Sequence, residues 1–240
     1  MIKEALEYIL GLKEPKMQEI HGQQYSDKQL YRIDRHLPRA EYIEMHTLTS
    51  LVDYIRGNID YMAPKMIIDI KSPTRVELYS MLDENRNRET LVRVEAMVPA
   101  FNFDAFMEQE KFCISLQSKF LDILDRALVL KFAGTVESGT VAEYGDDGVT
   151  QKATVKTGIA SKSDAVVPNP VALAPYRTFL EVEQPDSQFV FRMKADKYDG
   201  IHCAIFEADG GAWKNIATER IKIFLRDALS DYADTFTVIS

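Results

Sequence analysis

The stretch Leu128–Lys156, LVLKFAGTVESGTVAEYGDDGVTQKATVK, decides the fold class. A helix-like run leads into Thr140–Tyr144. The run Gly145-Asp146-Asp147-Gly148 then reads as a hairpin turn, because Asp-Gly pairs accept the positive φ angles of tight turns. Beyond it, Val149, Gln151, Ala153 and Val155 fall on one face, and Thr150, Lys152, Thr154 and Lys156 on the other. That period of two predicts a half-buried strand. Helix feeding an antiparallel hairpin points to an α+β protein.

The pattern repeats on either side. Upstream, Leu48, Leu51, Val52, Ile55, Ile59 and Met62 recur at helical spacing, with Thr47 placed to cap the start and Pro64 to stop the end. Met66–Ile70, Arg75–Leu82 and Thr90–Val98 predict an antiparallel meander. Lys16–Ile33 predicts a hairpin after an amphipathic N-terminal helix carrying Ile2, Leu6, Ile9 and Leu10. Phe112–Leu116 reads equally as strand or helix, and Phe120–Phe132 as helix. Downstream, Gly158–Pro175 reads as a long extended loop. Tyr176–Val182, Gln188–Lys194 and Ile201–Glu207 read as a second meander. A helix opened by Asp209-Gly210-Gly211 and a terminal strand within Thr235–Ser240 follow. The expectation is one compact α+β domain over residues 1–240, mostly antiparallel, with two meanders, a central hairpin and about four helices; Pro99–Phe103 is the candidate subdivision.

Composition narrows the function. A net charge of −8 argues against phosphate-backbone binding as the main activity. No apolar run reaches the length of a membrane span, and MIKEALEYILGLKEP lacks the features of an export signal. Two cysteines, Cys113 and Cys203, sit in apolar strings and read as buried thiols in a reducing cytoplasm.

Each chemical motif competes with a structural reading. Asp146 and Asp147 are candidate ligands for a hard divalent cation, but they also suit a turn. Gly210, Gly211, Trp213 and Lys214 are candidates for an anion site at a helix N-terminus; the competing reading makes Asp209 the cap and Trp213 a core anchor. Lys152, Lys156, Arg192 and Lys194 are candidate nucleic-acid contacts. The four histidines show no metal-protease spacing, and no cofactor motif is present. The loop 158–175 is longer than a compact domain needs. Val166, Val167, Pro168, Pro170, Val171 and Leu173 in it are therefore candidate contacts between copies.

The run Leu121–Lys156, followed by Val167-Pro168-Asn169-Pro170 and the pair Tyr176–Val182 and Gln188–Met193, resembles the YfdQ-like family of tailed-phage and prophage proteins. The resemblance implies a phage-encoded protein in the host-cell cytoplasm. It carries over no catalytic residue. The expected function is a non-enzymatic accessory protein acting by binding or self-assembly, with a homo-oligomer as first partner and no membrane. The alternatives are a nucleic-acid-associated factor in phage replication, recombination or counter-defence, and a metal-dependent hydrolase using Asp146 and Asp147.

Overall fold

The computed structural model describes residues 2–11, 15–20, 23–28, 40–62, 65–83, 86–143, 151–156, 162–196 and 200–240. They fall into two units, residues 1–39 and 40–240. The first contains α1 (Ile2–Gly11) and an antiparallel hairpin of β1 (Met17–Ile20) and β2 (Gln23–Ser26), with Met17 opposite Ser26. Asp27 closes the hairpin's open end: its amide donates to the Lys16 carbonyl at 3.1 Å, and its carboxylate accepts from the Lys16 amide at 2.7 Å. Leu6, Tyr8, Met17, Ile20 and Tyr25 are all exposed.

The second unit is α+β with mostly antiparallel pairing, as its sequence implies. Its first half is a mixed sheet in the order β14-β4-β5-β6-β3. The strands are β3 (Ile43–Met45), β4 (Met66–Ser72), β5 (Arg75–Ser80), β6 (Thr90–Glu95) and β14 (Phe236–Ile239). The central three form the expected meander. The outer two add in parallel, β14 beside β4 and β3 beside β6. Met66, Ile68, Ile70, Val76, Leu78, Val92 and Val94 cover one face. Onto it pack α2 (Leu48–Gly57) and α5 (Ala212–Ala228) through Leu48, Leu51, Ile55, Ile221 and Leu225. Thr47 caps α2, accepting from the Ser50 amide at 3.1 Å. The helix ends earlier than its apolar period suggests, because Asn58 turns left-handed (φ 43°) directly after Gly57. Ile59 therefore lies outside the helix and exposed.

A second core lies under a sheet of order β11-β12-β13-β7, built from β7 (Met107–Glu108), β11 (Val171–Leu173), β12 (Ser187–Asp196) and β13 (Gly200–Glu207). Two helices, α3 (Gln109–Lys119) and α4 (Arg126–Thr135), contribute Phe112, Leu116, Val129 and Phe132 to it. Phe112 stacks on Phe191 at 5.6 Å, and Phe103 on Phe189 at the same distance. The ambiguous run Phe112–Leu116 is thus helical. Phe120–Asp125 is not: Phe120 bridges to Pro175, and Leu124 is left-handed at φ 54°.

The central hairpin runs from α4 into β8 (Val136–Glu143) and β9 (Gln151–Lys156), and β10 (Lys162–Val166) extends it to three strands. Its tip, with Asp146 and Asp147, lies outside the described residues. Two readings are corrected here. The segment 158–175 is not one extended loop: β10 and β11 occupy much of it. Tyr176–Val182 is not a strand. Gln184 Oε1 takes the amides of Arg177 (2.9 Å) and Thr178 (3.2 Å), so a side chain holds donors that a ladder would otherwise need. The first strand of the second meander is β11 instead.

Gln151 joins the three-stranded sheet to the four-stranded one. Its buried amide donates to the Met193 carbonyl and accepts from the Met193 amide, both at 3.1 Å, as a neighbouring strand would. Replacing Gln151 by Leu keeps the volume and strands both backbone groups of Met193. Stability should fall by about 3 kcal/mol, read as a lower urea midpoint with an unchanged slope.

Candidate functional site

The N-terminus of α5 gathers the residues expected to hold an anion. Gly210 (φ 63°) and Gly211 (φ 81°) adopt left-handed conformations that a side chain would resist, and so turn the chain sharply into the helix. The turn delivers amides to an anion, and that anion belongs to the chain. Asp209 accepts from Gly211 N at 2.9 Å and from Trp213 N at 3.4 Å, while Ala212 N and Lys214 N donate to the carbonyls of Asp209 and Gly211. The first-turn donors are therefore used internally. Burial pushes the Asp209 carboxyl up, but bonds from Ser187, Gly211 and Trp213, together with the Arg177 charge, outweigh it and hold the group below its ordinary range.

Arg177 is the cation at this place. It is buried, and its guanidinium lies 4.0 Å from the centre of the Trp213 ring. Nη1 donates to Glu207 at 2.9 Å, and Nη2 donates to Ser187 Oγ, which itself donates to Asp209 Oδ2 at 2.5 Å. Lys214 Nζ lies 5.9 Å from the centre of the same Trp213 ring. Burial lowers the Arg177 pKa to about 10 against the pull of Glu207, Asp209 and Asp186, so it remains charged at neutral pH. The arrangement ties α5, β12, β13 and the 176–186 segment to one charge. Sequence reading missed Arg177 and Gln184. Their signal was faint: an arginine inside an apolar run, YRTFLEV, that had been given to a strand.

A second polar cluster covers the face of the five-stranded sheet turned away from α2 and α5. Register places Asp69, Glu77 and Arg93 side by side across β4, β5 and β6. Two carboxylates in direct opposition repel. Lys71 pairs with Asp69, whereas Arg75 and Arg93 both donate to Glu77, Arg93 at 3.0 Å. Tyr79 donates its hydroxyl to the remaining Glu77 oxygen, and Arg93 lies 4.0 Å from the Tyr42 ring centre. Burial raises the Glu77 pKa, but the bonds from Tyr79, Arg75 and Arg93 bring it down to about 2.

The other candidates are scattered. Arg192 and Lys194 share the face of β12 turned away from the second core, with Lys194 Nζ 4.6 Å over the Phe106 ring and opposite His202. Lys152 and Lys156 lie on β9, and their side chains are outside the described set. Val167, Val171 and Leu173 are buried in this chain's own second core, leaving Val166 exposed and Pro168 and Pro170 at or near the surface. Among the described residues, no three His, Cys, Asp or Glu side chains are gathered as a metal would require, and no helix is long and apolar enough to cross a membrane.

One apolar shoulder was not anticipated. Ile123 and Leu124 project from the α3–α4 connection and Leu128 from the first turn of α4, each about half exposed. The connection is firmly held. Leu121 N and Asp125 N donate to the carbonyls of Ala174 (2.9 Å) and Ala172 (3.1 Å), and the Asp125 carboxylate accepts from Ala172 N at 2.8 Å. Arg126 donates to the carbonyls of Gln117 (2.9 Å) and Phe120 (3.2 Å) at the end of α3, and pairs with Asp122 at 2.6 Å. A left-handed leucine costs roughly 1 kcal/mol, and here its side chain points to solvent.

The chain matches no protein-family model, no curated protein and no solved structure.

Two outcomes follow from the charge clusters. Arg177→Met should cost about 3 kcal/mol, because Glu207 and Asp209 lose their counter-charge; the thermal midpoint and the Trp213 fluorescence maximum report it. Glu77 has its pKa depressed by folding, so its contribution is complete above the ordinary carboxylate range and is lost as pH falls towards 2. Glu77→Gln should be destabilised by on the order of 2 kcal/mol at pH 7, and urea titrations should bring the two proteins together as the pH approaches 2.

Proposed function

We propose that this chain is a non-enzymatic binding protein that works by self-assembly, with a second copy of itself seated on the α3–α4 shoulder. The observation that carries the reading is the combination at Leu124. An exposed leucine is held in a left-handed backbone on a connection fixed from both sides. Strain of this kind persists where surrounding structure over-determines it, and it marks working surfaces.

Charge favours a second copy as the occupant. Asp122 stands exposed just before α4, where it also pairs with Arg126, and Lys131 stands exposed in the second turn of α4. Two α4 helices crossing antiparallel about a two-fold axis would set Asp122 of each against Lys131 of the other, with Leu124 and Leu128 between them. Such an isologous contact is the commonest way soluble chains associate. The phage-borne, host-cytoplasmic part of the proposal rests on the resemblance to the YfdQ-like family carried by 121–193.

Sedimentation equilibrium at micromolar concentration should give a dimer or a multiple of it for the full chain, and a monomer for Leu124→Glu with Leu128→Glu. Leu124→Gly separates the two roles of that residue: it should keep or raise the urea midpoint while weakening association at least tenfold. A wild-type chain that sediments as a monomer overturns the proposal.

A further inference from the structure

The second core brings four sulfur-bearing side chains together. In the ladder of β12 and β13, Met193 stands opposite Cys203; in that of β13 and β7, Cys203 stands opposite Met107. Directly opposed residues of antiparallel strands point to the same face, with Cβ atoms roughly 5 Å apart. Met193, Cys203 and Met107 therefore form one row across three adjacent strands, with the thiol in the middle. Helix α3 follows directly on β7, packs against β13 and brings Cys113 into the same cluster. Both cysteines are free thiols, and they lie near enough for the charge of one to oppose ionisation of the other.

The donor set is chemically uniform. Two thiols and two thioethers are soft ligands, suited to Cu(I) and poorly suited to Mg²⁺ or Ca²⁺. The hard and borderline donors nearby in sequence, Glu108 and His202, occupy the next positions along their strands and so face the opposite side of the sheet. Thioethers on flexible side chains can lean towards a central thiol without moving the backbone. Cys203 and Met193 are fully buried, whereas Met107 and Cys113 are partly exposed, which gives an ion a way in from the α3 side.

We propose that Cys113, Cys203, Met107 and Met193 form a binding site for one soft monovalent metal ion of the Cu(I) class, centred over Cys203. Gln151 is the positioning residue: its two bonds to the Met193 backbone fix one ligand in register. Burial raises both thiols, Cys203 to about 12. The ion replaces a proton rather than meeting a ready thiolate, so uptake releases protons and strengthens as pH rises.

Anaerobic titration of the full chain with Cu(I) in competition with bicinchoninate tests the site, and Ag(I) serves as a redox-silent second probe. The expected result is one ion withdrawn per chain, with proton release and an absorption edge showing sulfur neighbours alone. Cys113→Ser should weaken binding by about a hundredfold or more. Met107→Leu and Met193→Leu should each weaken it roughly tenfold; these volume-conserving changes keep the fold intact, so their effect is on the ion and not on folding. Failure to withdraw the ion, nitrogen or oxygen neighbours at the metal, or equal uptake by wild type, Cys113→Ser and Met107→Leu would each overturn the proposal.

Discussion

One buried guanidinium organises the larger unit. Arg177 lies under Trp213 and reaches Glu207 and Ser187, and through Ser187 it reaches Asp209. Taking such a charge out of water is costly unless every partner is in place. Here the partners come from the end of β13, the start of β12 and the entrance to α5. A shift in any one of them would strand the charge. The segment 176–186 belongs to this arrangement as well. Gln184 folds it around its own amide, and Thr178 donates to the Pro73 carbonyl at 2.5 Å. The same segment supplies Phe179 and Val182 to the first core. The polar hub and the apolar core are therefore coupled through a few residues.

Where the chain obeys simple periodicity, its structure can be read from it directly. The meander β4–β5–β6 follows the alternation in Met66–Ile70 and Thr90–Val98. The face of α5 follows Ile221 and Leu225, and Thr47 caps α2 as its position implies. What the sequence hides are the cases in which a side chain does the work of a backbone. Gln184 replaces a strand partner, so a β-rich run, Tyr176–Val182, becomes an irregular clasp. A left-handed Leu124 delays to Arg126 the helix that the apolar stripe from Phe120 implies. Parallel addition of β14 and β3 was also illegible, since nothing local encodes which distant strand lies alongside.

The candidate sites divide on the same line. The glycine pair before α5 does deliver amides to an anion, and that anion is Asp209, the cap that the run DGGAW already offered against an external ligand. Glu77 alternates along β5 with the core residues Val76 and Leu78. Its burial arises only because register brings Arg75, Arg93 and Tyr79 around it. The sulfur row is the extreme case. Met107, Cys113, Met193 and Cys203 are spread over nearly a hundred residues, and only strand register and the placement of α3 bring them together.

The Gln151–Met193 pairing also bears on the longest strand, β12, as a sheet edge. Beyond Phe189, the side of β12 away from β13 is no longer paired with β11, which ends there. An open row of amides and carbonyls invites a foreign strand. The Gln151 carboxamide occupies that side of β12 at Met193, where one side chain satisfies a donor and an acceptor without offering a new row beyond itself. A foreign strand is thus kept from pairing with β12 at Met193, and the carboxamide that keeps it out is the same one that joins the two sheets.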